Sequence, residues 1–126
     1  MNAQPWTIED HLRDQPAASV ALYRRVEEVL TSLGEVTTSV SKSTITFKGP
    51  RRGFAGARPT KAGVQGYFDI MRPLSTDDPR IRNVTPYQHS LHVHHYRLTD
   101  VADLDEEFVG WLREAYDVGT GAHLRR

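Results

Sequence analysis

A change of hydrophobic period constrains this chain more than any other feature. Near both ends apolar residues recur every three or four positions, whereas from residue 35 to residue 98 they tend to alternate. Helices repeat every 3.6 residues and strands every 2, so a pattern written for one cannot settle as the other. The chain therefore reads as helix, then sheet, then helix.

Trp6-Thr7-Ile8-Glu9-Asp10 has the form of a helix entry, with Thr7 and Asp10 able to cap one another's amides, and the short helix must stop before Pro16. Pro16 suits the first turn of a second helix. Val20, Tyr23, Val26, Val29 or Leu30, and Leu33 form its apolar stripe, Arg24, Arg25, Glu27 and Glu28 its wet side, and Gly34 its expected end. In the last third, Leu104, Phe108, Trp111 or Leu112, Ala115 and Tyr116 form another stripe. Asp103, Asp105, Glu106 and Glu107 crowd its start, where the helix dipole favours negative charge, and Gly119 closes it before a tail expected to be mobile.

Between the helices, Val36 and Val40 have one parity and Ile45 and Phe47 the other, which predicts two short strands with a turn near Lys42 and Ser43. Residues 53–59 and 63–72 predict two more, closed by Pro73; Arg80 to Val84 predicts a short edge strand, and LHVHHYRL returns to alternation. The expected architecture is α+β, one domain over residues 1–126. An antiparallel sheet of four to five strands carries the N-terminal helices and the C-terminal helix on one face.

With 126 residues such a domain can bury a core without covalent staples. The chain has no cysteine, which excludes disulfides, thiolate metal sites and cysteine nucleophiles and suits a reducing compartment. No apolar run reads as a signal sequence or membrane span, so a cytoplasmic protein is expected. Lysine plus arginine equals aspartate plus glutamate at 16 each, so any attraction for an anion must come from a local patch.

The segments SKSTITFKGPRRGFAGARPTKAGVQGYFDI, VHHYRL and LDEEFVGWLREAY together resemble a bacterial family known only as a domain of unknown function, of the DUF5655 type. The resemblance covers nearly the whole chain. It implies small α+β domains, stand-alone or appended, and carries over no reaction and no catalytic residue.

Two clusters compete as functional sites. Among the histidines, His92 and His94 share a strand face, with His89 nearby and Asp69 available from a neighbouring strand, a pattern compatible with a metal. The same strand mixes its apolar phase, so histidines are also expected to face the core with a ring nitrogen bonded to a carbonyl or hydroxyl. Clustered imidazoles predict stability or binding that changes between pH 5 and 8. The second cluster is basic: no acid occurs from Val36 to Phe68, whereas Lys42, Lys48, Arg51, Arg52, Arg58 and Lys61 all do, with Phe54 among them as a stacking surface.

Catalytic and nucleotide motifs fail. Ser39 to Lys42 fits a serine-x-x-lysine pattern but lies in a strand, where the two side chains diverge. RGFA, residues 52–55, copies half of an RNA-recognition motif without its later aromatics, and no Walker or dinucleotide fingerprint is present. The leading expectation is a non-enzymatic module that binds an anionic ligand or a protein partner through the basic hairpin, with no cofactor. Its competitors are a metal site or metal-dependent enzyme on the histidines, and nonspecific nucleic-acid binding through Arg51, Arg52, Arg58 and Lys61. The sequence leaves the oligomeric state open.

Overall fold

The computed structural model describes residues 5–88 and 90–124. Its strands are β1 (Thr37–Val40), β2 (Ile45–Lys48), β3 (Gly53–Thr60), β4 (Gly63–Ile70), β5 (Ile81–Pro86) and β6 (His92–Leu98), and its helices α1 (Ile8–Leu12), α2 (Ala17–Thr31) and α3 (Glu106–Gly119). The strands form one sheet in the order β1-β2-β3-β4-β6-β5, every neighbouring pair antiparallel. This is the expected α+β layout with one strand more, because the short segments β1 and β5 both pair as edges.

The helices α2 and α3 pack on the two central strands, β3 and β4. Tyr23, Val26 and Leu30 of α2 and Phe108, Leu112 and Ala115 of α3 lose all solvent contact against Ile45, Phe47, Ala57, Val64, Phe68 and Leu98. Each large apolar side chain buried this way contributes about 1.5–3 kcal/mol relative to exposure. Because successive strand residues point to opposite faces, the residues between these on the strands face away from the helices.

The helix ends show where local chemistry prevailed. At α1, Asp10 N donates to Thr7 Oγ1 at 3.2 Å and Thr7 N to Asp10 Oδ2 at 3.0 Å, the reciprocal cap that the sequence predicts. α2 ends at Thr31, earlier than Gly34 suggests, and Thr31 Oγ1 bonds back to the Glu27 carbonyl at 2.8 Å. Gly34 instead makes room for Tyr116: a Cβ there would lie 2.5 Å from the Tyr116 hydroxyl, which donates to the Glu35 carbonyl. α3 starts at Glu106, because Asp105 caps the Phe108 amide at 2.9 Å, while Asp103 accepts the Thr99 and Asp100 amides and belongs to a separate 3₁₀ turn, Val101–Asp103. The tail, expected to be mobile, forms a second 3₁₀ turn at Ala122–Leu124 with His123 buried.

Since β6 lies between β4 and β5 and is antiparallel to both, those two strands run parallel, and residues 71–80 must cross a face of β6 to join them. Arg80, almost buried, ties their far end to α3. It donates to Asp78 Oδ2 (2.8 Å), Asp105 Oδ1 (2.7 Å), Glu107 Oε1 (3.0 Å) and the Asp103 carbonyl (2.8 Å), and its guanidinium lies 4.9 Å from the Trp111 ring centre. Among the described residues, no helix is long and apolar enough to cross a membrane.

Candidate functional site

The structure separates the two candidate clusters. His92 and His94 do share the helix-side face of β6, opposite Ile70 and Phe68 of β4. His94 is fully buried, its ring stacked on Phe68 with centres 5.0 Å apart and planes within 6°. Its Nε2 accepts the Leu74 amide hydrogen at 3.0 Å, so that nitrogen carries no proton, and Nδ1 donates to the His92 carbonyl at 3.0 Å. Both nitrogens are thereby used and no lone pair remains for an ion. Burial holds the His94 pKa below the ordinary value of 6.5.

Asp69 pairs across the ladder with Val93 and so has the opposite parity to His92 and His94. Its carboxylate accepts instead from Arg52 Nη2 at 2.8 Å. Burial raises the Asp69 pKa to about 6 although the Arg52 charge pulls it down. His89 lies outside the described residues, and among those described no three potential ligands stand together for a metal.

The basic segment is dispersed because it is not a hairpin tip: most of it is β3, a central strand. Phe54 is wholly buried, edge-on to Tyr116 at 5.4 Å between ring centres, and offers no stacking surface. Arg52 is committed to Asp69 and the Gly53 carbonyl. The amide of Arg51 donates to the Gly119 carbonyl at 2.8 Å, which anchors the loop before β3 to the end of α3. Lys48 is exposed at the end of β2, Lys61 at the β3–β4 turn and Lys42 at the β1–β2 turn. Of the seven, Arg58 lines the groove on the open face of the sheet.

That groove, of about 370 Å³ on the sheet face away from the helices, is lined by Arg58, Gln65, Tyr67, Arg82, His95 and Arg97, with Ser43 and Thr44 at one rim. Ladder register arranges the side chains in two rows. Arg58, Gln65 and Arg97 stand side by side on β3, β4 and β6; Gly56, Tyr67 and His95 form the next row along the same strands. Arg82 enters from β5 at the register shift between Ile81 and Asn83, a bulge of the kind that re-aims a side chain.

Most of the described arginines outside the groove are ion-paired, Arg51 and Arg113 being the exceptions. Arg13, Arg24, Arg25, Arg52, Arg72 and Arg80 each hold an ion pair with a carboxylate. Arg58, Arg82 and Arg97 hold none among the described residues, and no carboxylate lines the groove. Arg58 reaches only the neutral Gln65 amide at 3.5 Å, and the Arg97 Nε is buried without a hydrogen-bond partner. A guanidinium is a fork of donors that matches carboxylate and phosphate oxygens.

Residues 8–119 match the family described as Domain of unknown function (DUF5655). The chain belongs to that family. No curated protein and no solved structure matches it.

In this DUF5655 domain, the groove residues beyond Arg58 escaped the sequence reading although one signal was available. Along VHHYRL, His94, Tyr96 and Leu98 are buried, so His95 and Arg97 must point the other way, with Gln65 and Tyr67 beside them on β4. Arg82 left no such signal, because its orientation depends on the bulge. The glycines packed against Tyr67 and Tyr96 were equally uninformative in sequence. A Cβ on Gly56 would come 2.3 Å from the Tyr67 ring on the groove side, and one on Gly66 would come 2.5 Å from the Tyr96 hydroxyl on the helix side.

Proposed function

We propose that this domain is a non-enzymatic cytoplasmic module that binds an anionic small molecule in the groove on the open face of its sheet. One observation carries the reading: three guanidinium groups, Arg58, Arg82 and Arg97, line one concavity with no carboxylate among its lining residues. Cations held near one another without anionic partners are the arrangement that an incoming anion relieves. Its volume falls within the range of small-molecule sites, about 300–1,000 Å³. The rim hydroxyls of Ser43 and Thr44 accept no bond from, and donate none to, a described histidine or carboxylate that would activate them, which favours binding over covalent chemistry. The cysteine-free composition supports the cytoplasmic assignment.

The test is calorimetric titration with pyrophosphate and with citrate at two salt concentrations. Saturable binding that weakens with salt and falls at least tenfold in Arg58→Gln and Arg97→Gln is expected. Absence of binding at millimolar concentration, or binding indifferent to both substitutions, would overturn the reading.

A further inference from the structure

From the pairing of the two rows we infer that the ligand is a mononucleotide: a flat base stacked on Tyr67 with its edge toward His95, its phosphate held by Arg58 and Arg97. This rests on the anion-binding reading of the same groove and adds the half of the ligand that charge does not specify.

Three observations bear on it. First, the row next to the arginines is aromatic. Tyr67 and His95 line the groove with ring centres 6.5 Å apart and planes 52° apart, so a base stacked on Tyr67 meets His95 at its edge, and among the described residues neither side chain makes a hydrogen bond. Second, the Tyr67 ring lies flush over the strand beside it. It leans across β3 onto Gly56, where any Cβ would collide with it, so it lies along the groove floor as a platform. Third, the rows are two residues apart on β4 and on β6, a separation of about 6.6 Å along a strand. That is the kind of span one pentose bridges between a base and its 5′-phosphate. A ligand whose phosphate hangs directly off its ring would reach one row and miss the other.

The remaining lining groups fit the same ligand. Gln65 lies between the two arginines with an amide able to donate and accept, suited to a sugar hydroxyl or phosphate oxygen, and Arg82 faces the rings from the β5 side. Ser43 and Thr44 line the groove from the β2 side and Arg82 from the β5 side, so its width spans the strands between them.

The experiment titrates adenosine 5′-monophosphate, uridine 5′-monophosphate, adenosine, inorganic phosphate and a ten-nucleotide single strand into the wild-type protein and into Tyr67→Leu, Tyr67→Phe and Arg97→Gln. Circular dichroism confirms folding of each. We expect both mononucleotides to bind at least tenfold more tightly than adenosine or phosphate. Tyr67→Leu should bring them down to the phosphate level and Tyr67→Phe should restore them, since stacking on one aromatic ring is worth about tenfold or more. Mononucleotides no tighter than phosphate, and unchanged by Tyr67→Leu, would refute the stacking platform and leave the anion site standing. Adenosine as tight as its monophosphate, with Arg97→Gln silent, would refute the anion site itself. A ten-nucleotide strand bound far more tightly than one unit would refute the discrete ligand in favour of nucleic acid.

Discussion

His94 is fixed through the amide of Leu74: the ring nitrogen Nε2 accepts that hydrogen at 3.0 Å, and so the connection between β4 and β5 is pinned to the strand it passes. Removal of the ring in His94→Ala leaves the Leu74 amide and the His92 carbonyl without their partner and opens a void beside Phe68. A loss of about 2–4 kcal/mol in urea unfolding at neutral pH is expected.

The same burial sets a pH dependence. The unfolded chain protonates His94 near its ordinary 6.5, whereas the folded chain does so only at lower pH. The stability His94 contributes is therefore complete above about 6.5 and lost as pH falls through the folded pKa. Asp69 acts in the opposite sense. Its folded pKa is raised from 3.8 to about 6, so its contribution is complete below 3.8 and lost as pH rises through about 6, a change on the order of 3 kcal/mol. The two partly cancel between pH 4 and 6. Unfolding free energies at pH 4.5, 5.5, 6.5 and 7.5 should show Asp69→Asn with a steeper acid-side loss than wild type. His94→Gln should show the reverse, stability declining as pH rises; parallel curves for all three proteins would refute both assignments.

Arg80 is expected to be the most consequential surface-linked cation. Arg80→Met removes the bonds to Asp78, Asp105 and Glu107 and leaves those carboxylates facing one another across the start of α3. Because Asp105 and Glu107 are more than half exposed, solvent moderates the cost, and a loss of about 2–4 kcal/mol is expected. Lysine lacks the planar fork, so Arg80→Lys should recover less than half of it. Trp111 emission, which reports the cation 4.9 Å from its ring, should shift in both variants.

Gly56 and Gly66 make a matched pair of tests. On the groove side, Gly56→Ala pushes against the half-exposed Tyr67, which can swing outward, and a cost of about 1–3 kcal/mol is expected. The double variant Gly56→Ala/Tyr67→Leu should recover at least half of it. On the helix side a Cβ at Gly66 would lie 2.0 Å from the Gly56 carbonyl oxygen, against the buried Tyr96, and nothing there can move aside. Gly66→Ala should be the more damaging of the two by thermal unfolding.

Much of the architecture was legible because the driving term is local and repetitive. The stripe Tyr23, Val26 and Leu30, the alternation Ile45 and Phe47, and the Thr7 and Asp10 cap each declare their element within a few residues. The site was legible only in part. The run from Lys42 to Lys61 advertised positive charge, yet charge density along a chain does not say which way a side chain points. Arg52 turned to Asp69, Phe54 turned into the core, and of the cations in the run only Arg58 faced the groove.

By itself, then, the sequence determined an α+β domain with helices at both ends, its core faces and its helix caps, because hydrophobic period and capping act over one or two turns of chain. Tertiary structure alone decided that His94 is a neutral core residue and that Arg58, Arg82 and Arg97 meet. Those facts depend on which strands become neighbours, on the register between them and on one bulge in β5. Such relations join residues tens of positions apart, and no short-range pattern encodes them.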